Sequence, residues 1–520
     1  MSRSLRARLL LAAAGAVAVT AAAAPAWSET LADALAMAYQ TNPTLQAQRA
    51  TQRALDETWV QARTGWRPTL SASSSLFWIE DATPRAALTQ FGQPTRAHAS
   101  QTTLTFTLSQ PLWTGGRTAA AVTAAQGDVL QGRENLRRLE GQVLQAVVQA
   151  YEDVRRDQQA LQIRQEDLGV LQKQLDESRA RFDVGEVTRT DVALSESRLA
   201  SAQALLQSAQ AQLGVSRASY AALVGQNPGT LAPEPSLGQL LPGNVDDAFT
   251  IAEQFNPQLR AQQFAEQASR ARVAGARAER MPRLDLQSQL IFQGNNAIDP
   301  IVRDLYSRQL FTGATVTLPV FTGGLTTSRI RQSIERNNAD RISIETQRRS
   351  VLQQVTQFWN QLIAARANIG SNTAAVRAAE IAAEGTRQEL SVGLRTTIDV
   401  LNADVDLRNA QLSLVFAQHD EYVAASNVLL TMGRLEGRDL IPTQPQYDAA
   451  HNFRRLRVSW GWVPWEEPIA LVDRAVAVPP IPQSKDKPLE APIPPGLQPP
   501  PGVPPPAAPA PAPAATPPAS

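Results

Sequence analysis

The chain is written twice. The stretch QPLWTGGR, Gln110 to Arg117, returns as LPVFTGGL, Leu318 to Leu325, 208 residues on. NPTLQAQ (Asn42 to Gln48) returns as NPQLRAQ (Asn256 to Gln262), and FDVGEVTRTDV (Phe182 to Val192) as LSVGLRTTIDV (Leu390 to Val400). ALVG (Ala222 to Gly225) returns as LTMG (Leu430 to Gly433). The spacing is 214 residues as far as Trp78 and 208 from Leu104 onward. The length change between those points belongs in the connection between two strand-like runs, where insertions are best tolerated. Solenoid repeats are about 20–50 residues long, so copies of this size are duplicated domain-scale modules.

Each copy keeps one order. A helical segment comes first, Leu31 to Ala62 or Val245 to Arg280, interrupted near its start by Asn42-Pro43 or Asn256-Pro257. Two strand-like runs follow, about 69–78 and 102–112 in the first copy and about 283–292 and 310–320 in the second. Leu70, Ala72, Ser74, Leu76 and Trp78 alternate with mostly polar neighbours, as do Leu284, Leu286, Ser288, Leu290 and Phe292. Such alternation suits strands whose two faces meet different surroundings, and outer-membrane barrel strands carry this signature. The connections between the runs are polar and long.

A corner then ends each pair of runs: Pro111, Gly115 and Gly116 in one copy, Pro319, Gly323 and Gly324 in the other. Proline lacks the N–H of a sheet ladder and is expected to end or edge a strand. Glycine supplies the freedom to turn sharply into a helix. A phosphate-binding loop does not fit, because no lysine-serine pair follows the glycines. Trp113 and Phe321 fall where an aromatic belt meets a membrane interface.

Beyond each corner proline disappears, from Pro111 to Pro228 and from Pro319 to Pro442. Val147, Val154, Leu161, Leu168, Leu175 and Phe182 recur every seven residues, and Val355, Leu362, Ile369, Val376, Ala383 and Leu390 match them. A sustained heptad stripe implies supercoiling against a neighbour. The stretch Thr118 to Arg181 makes a helix of roughly 95 Å at 1.5 Å per residue, far longer than a globular domain needs. Gly185 and Gly393 mark turns into shorter returning helices.

Bulk properties narrow the function. A net charge of +1 gives no basic footprint for nucleic acid. With no cysteine, disulfides, thiolate metal sites and thiol catalysis are excluded, and His98, His419 and His451 are too scattered for a ligand cluster. No nucleophile elbow or nucleotide loop is present, so no enzyme, cofactor or metal is expected. Arg3, Arg6 and Arg8, the apolar LLLAAAGAVAV and the small residues of APA predict a signal peptide over 1–26. No later run approaches the ~20 apolar residues of a membrane helix. An exported chain of this kind is either soluble or inserts as strands, and four strands alone are too few, since the smallest membrane barrels have about eight.

The duplicated NP starts, the strand-to-helix corners and the two VG turns followed by TRTDV and TTIDVL resemble the TolC family of outer-membrane channel-tunnels. The resemblance covers about Thr30 to Leu440. It implies an α+β fold in which a duplicated helix–two-strand–long-helix module trimerises. The product is a twelve-stranded outer-membrane β-barrel on a periplasmic α-helical coiled-coil tunnel. It further implies an exit duct for type I protein secretion or small-molecule efflux, embedded in outer-membrane lipid and docked by a periplasmic adaptor protein and an inner-membrane transporter. Carried over by position, Arg395 matches a gate arginine whose contact is the residue matched by Thr190. Asp191 matches the partner of a gate tyrosine, and Asp399 matches one of two constriction aspartates. Leu390 stands in place of that tyrosine and Asn402 in place of the second aspartate. Read from the residues alone, Asp191 and Asp399 equally suit first-turn helix positions that complement the helix dipole. Arg395 equally suits a solvated surface charge.

The chain thus divides into a signal peptide (1–26), a first repeat (27–240), a second repeat (241–445), a tryptophan-rich segment (446–478) and a tail (479–520). The segment holds Trp460, Trp462 and Trp465 outside the duplicated unit. The tail contains 18 of the 36 prolines, a density that precludes a packed core. A non-channel coiled-coil rod of the envelope is the alternative reading of the heptads, but it leaves the duplicated strands unexplained.

Overall fold

The computed structural model describes residues 29–81, 97–295 and 306–475, apart from 443, 459 and 460. The predicted signal peptide, the proline-rich tail, Trp460 and most of the two strand connections lie outside these residues.

The first repeat runs α1 (Leu31–Thr41), α2 (Pro43–Arg63), β1 (Thr69–Asp81), β2 (Ala97–Trp113), α3 (Arg117–Asp183) and α4 (Arg189–Val224). The second runs α5 (Val245–Phe255), α6 (Pro257–Ala278), β3 (Arg283–Asn295), β4 (Tyr306–Thr317), α7 (Leu325–Ser391) and α8 (Thr397–Met432). The helices α3 and α7 both have 67 residues, and α4 and α8 both have 36. Three short α-helices follow among the described residues: α9 (Gly437–Leu440), α10 (Ala449–Arg455) and α11 (Glu466–Ala475). No helix among the described residues is long and apolar enough to cross a membrane.

The Asn-Pro pairs break the first helical segment of each repeat for a local reason. Asn42 Oδ1 accepts from Thr44 N (3.0 Å) and Leu45 N (3.3 Å), and Asn256 Oδ1 accepts from Gln258 N (2.9 Å) and Leu259 N (3.1 Å). Each asparagine therefore caps a new helix, with proline in the first position, where its missing N–H costs nothing.

The four strands form one antiparallel sheet in the order β1-β2-β3-β4, leaving β1 and β4 as free edges among the described residues. The central pair joins the repeats, with Leu104 opposite Phe292 and Phe106 opposite Leu290. Pro111 lies where β2 becomes an edge: pairing with β1 stops at Ser109, and β2 continues to Trp113 against β3 alone, with a register irregularity opposite Asp285 and Leu284. In the second copy β4 ends at Thr317, before Pro319.

Two compact units divide the described chain, and each draws on both repeats. One holds residues 29–41, 146–237 and 367–423; the other holds 42–145, 238–366 and 424–475. In the first, Leu171, Leu175, Leu199, Ala202 and Leu401 form a core cluster. Of the predicted heptad positions, Leu175 belongs to this cluster and Leu168 packs against it; Ala383 is buried, Ile369 and Val376 are partly buried, and Phe182 at the end of the stripe is exposed. The second unit contains the sheet and a cluster of Trp66, Ala119, Val122 and Ala470.

Candidate channel wall and gate

Register sorts the strand residues onto two faces, because residues directly opposite in an antiparallel ladder point the same way. Leu70 lies opposite Leu108, Ala72 opposite Phe106, Leu290 opposite Leu310 and Leu284 opposite Val316. That face is apolar, and Leu70, Leu76, Trp78, Leu310 and Val316 are exposed on it. The other face is mostly polar, with Ser71, Ser73, Ser75, Thr103, Thr105, Thr107, Gln287 and Gln289, interrupted by Phe77, Ile291 and Phe311. An exposed apolar face backed by a Ser/Thr/Gln face suits a wall between lipid and water.

The corners turn on glycines in the left-handed region, Gly115 (φ 68°) and Gly116 (φ 83°), matched by Gly323 (φ 60°) and Gly324 (φ 84°). A Cβ on Gly115 would lie 2.5 Å from Met281 Cβ, so contact as well as conformation demands glycine there.

The tryptophan-rich segment, which from sequence suits either the outside of the tunnel or an equatorial belt, packs through α11 on the first corner. Asp473 of α11 is fully buried and accepts from Thr114 N (2.9 Å), Gly116 N (3.0 Å), Ala119 N (3.3 Å) and Trp66 Nε1 (3.1 Å). It satisfies unpaired donors at the start of α3, where a negative charge is also favoured. Glu466, equally buried, pairs with Arg63 Nε (2.5 Å) and Arg67 Nε (2.8 Å). The second corner differs. Val320 and Phe321, equivalent to Leu112 and Trp113, are each 89% exposed, whereas the first-copy pair is half-buried.

At the turn between α3 and α4, Gly185 N donates to Phe182 O (3.0 Å) and Glu186 N to Arg181 O (2.9 Å). Gly393 and Leu394 repeat the arrangement onto Leu390 and Glu389. This is a Schellman ending, which needs the positive φ seen at Gly185 (80°) and Gly393 (78°). Helix α4 then starts with a capping box in which Asp191 Oδ2 accepts from Thr188 N (2.9 Å) and Thr188 Oγ1 (2.8 Å). Asp399 accepts from Thr396 N (3.0 Å) and Thr396 Oγ1 (2.7 Å) in the same way. The Thr396 hydroxyl and backbone N–H hold the Asp399 carboxyl below the usual carboxylate value.

The remaining sequence-selected positions fall nearby. Thr190 is exposed on the first turn of α4. Arg395 Nε donates to Glu389 (2.8 Å) within its own turn. Asn402 Oδ1 accepts from Arg198 (3.1 Å), a contact between the two repeats.

An ion pair unnoticed in the sequence spans each hairpin. Arg179 meets Glu196 (2.7 Å) in the first, and Arg387 meets Asp404 in the second, each residue 208 positions from its counterpart. Aligning charged positions between the copies would have found it. The first pair is exposed, whereas Asp404 is only 3% exposed. Burial pushes the Asp404 carboxyl above the usual value, with Arg387 pulling the other way.

A sheet with one lipid-suited face, continued by paired 67-residue helices, defines an outer-membrane channel extended by a helical tunnel. The chain belongs to the outer membrane efflux protein family, whose profile matches residues 34–226 and 250–434, once per repeat. It is thereby a TolC-type protein of the outer membrane. It is 33% identical to the outer membrane efflux protein BepC of Brucella suis over 439 residues, 84% of this chain and 92% of BepC. It is 25% identical to the alkaline protease secretion protein AprF of Pseudomonas aeruginosa over 345 residues, 65% of this chain and 70% of AprF. Its fold is similar to that of the Campylobacter jejuni CmeC outer membrane channel, with a TM-score of 0.68 and 15% identity over 82% of this chain and 89% of that one.

Proposed function

We propose that three copies of this chain build one exit duct, to which an inner-membrane pump and a periplasmic adaptor deliver cargo. The open, two-faced, four-stranded sheet carries this reading. Unpaired strand edges are not tolerated in lipid, so β1 and β4 need partners. Three sheets supply twelve strands, above the roughly eight of the smallest membrane barrels. Small toxic molecules are the favoured cargo, because BepC, named for efflux, is the more similar relative over more of the chain. Protein cargo is the second reading, favoured by the likeness to AprF.

The gate in this reading lies at the two glycine turns. Asp399 contributes one ring of carboxylates to the constriction, and Asn402 leaves a second ring neutral. Arg395 and Thr190 meet across neighbouring hairpins, and Asp191 lacks its tyrosine partner because Leu390 stands there. The capping bonds of Asp191 and Asp399 engage one carboxylate oxygen, leaving the other oxygen for such a role.

A deletion strain tests the function. Loss of the gene should lower resistance to detergents and hydrophobic antibiotics, and the wild-type gene should restore it. Unchanged resistance together with a missing extracellular protein would transfer the assignment to protein secretion. No change in either would remove the export role.

A further inference from the structure

The two corners are chemically alike but differently dressed. Helix α11 covers the first, whereas Val320 and Phe321 of the second stand bare. Helix α11 itself has two faces. Glu466, Ala470 and Asp473 turn inward, and the opposite face exposes Leu471 and Val472, 64% and 53% accessible. The inward face is fixed by two buried carboxylates with at least five named donors, so the outward residues are held in a defined place.

The register says what lies beside that outward face in a ring. In every pairing of the sheet, the start of an odd strand meets the end of an even one: Thr69 near Ser109, Leu284 opposite Trp113, Arg283 opposite Thr317. An antiparallel union of β4 with β1 of the next copy continues the rule and sets the start of that β1 beside the end of β4. The start of β1 follows directly on Trp66 and Arg67, the residues to which α11 is anchored. The end of β4 leads directly into Val320 and Phe321.

We infer that the exposed face of α11, through Leu471 and Val472, seats on the bare second corner, Val320 and Phe321, of the adjacent copy of this chain. This rests on the ring reading above. One helix then serves both sides of β1: its polar face locks the first corner of its own chain, and its apolar face covers the second corner of a neighbour. The contact is heterologous, head to tail, and closes when the ring closes.

The absence of native cysteine makes the test clean. A Val320→Cys/Leu471→Cys double variant, purified in detergent and treated with a short bis-maleimide, is expected to give covalent dimers and trimers on denaturing gels. Each single variant, and the pair Ile342→Cys/Leu471→Cys, should give neither. Phe321→Ser and Leu471→Ser, both at exposed positions, should each speed thermal dissociation of the trimer at least tenfold without changing its circular dichroism before heating. A light-scattering mass of three chains with no cross-link and unchanged dissociation would overturn the inference and leave the ring standing. A mass of one chain would overturn both.

Discussion

At the scale of single residues, the two glycine turns use their aspartates first as helix starts. Thr188→Ala and Thr396→Ala each remove a capping hydroxyl and should cost about 1 kcal/mol of local helix stability. Faster hydrogen exchange in the first turns of α4 and α8, with the rest of the chain unchanged, is the expected readout. Asn402 is the more telling position for transport. In the proposed duct, adding a carboxylate there should deepen block by divalent cations, because it would give the constriction a second charged ring that focuses the field. Arg198, which donates to Asn402, would neutralise part of that charge. Asn402→Asp should therefore lower the blocking concentration on the order of a few-fold, and combination with Arg198→Gln should lower it further. Single-channel recordings with added divalent cation measure both, and equal block in all forms would contradict the assignment.

His419 carries the clearest pH signal. Its Nε2 lies 3.0 Å from Asp153 and its Nδ1 3.0 Å from Asp420, with Arg156 also on Asp153. Burial opposes charging of the ring, but the bonds to Asp153 and Asp420 outweigh burial and the repulsion from Arg156, so its pKa is raised. Asp153 is lowered: burial opposes ionisation, and the His419 and Arg156 contacts overcome it. A raised histidine contributes stability that is full below its unfolded pKa and is lost as pH rises through the folded value. A lowered aspartate contributes stability that is full above its unfolded pKa and is lost as pH falls through the folded value. His419→Ala should thus cost most near pH 5–6, on the order of 1 kcal/mol, and little at pH 9. Melting of both proteins across that range checks the sign.

At the scale of elements, the hairpin ion pairs separate surface from interior. Arg179→Gln removes an exposed pair and should cost under about 0.5 kcal/mol. Arg387→Gln strands a buried Asp404 and should cost about 2 kcal/mol, short of a fully buried pair because Arg387 keeps 39% exposure. Denaturant melts of the two variants should rank accordingly. The helices and strands themselves were legible in the sequence, since heptads, alternation and asparagine-proline starts are local patterns repeated twice. Proline was legible as an end or an edge of a strand; which of the two holds at Pro111 depends on where the ladder to β1 stops, which composition does not reveal. Asp473 was invisible for a different reason. It is one acid in an unrepeated segment, paired with donors more than 350 positions away, and no periodicity marks such a contact. Asp473→Asn should cost about 2–3 kcal/mol by trading a buried carboxylate for an amide that mismatches those donors.

At the scale of the whole molecule, four strands with two unlike faces and free edges cannot serve as a finished wall. Which solvent each face meets decides whether the sheet is a channel wall. The absence of native cysteine permits the direct measurement: single cysteines along β1 and β4, each labelled with an environment-sensitive fluorophore in reconstituted vesicles. Labels at positions 70, 76, 310 and 316 should be quenched by a lipid-borne quencher, and labels at 71, 73, 75 and 315 by a water-soluble one. An alternation of period two in quencher access is the result this account predicts. Uniform access to the aqueous quencher along both strands would contradict it.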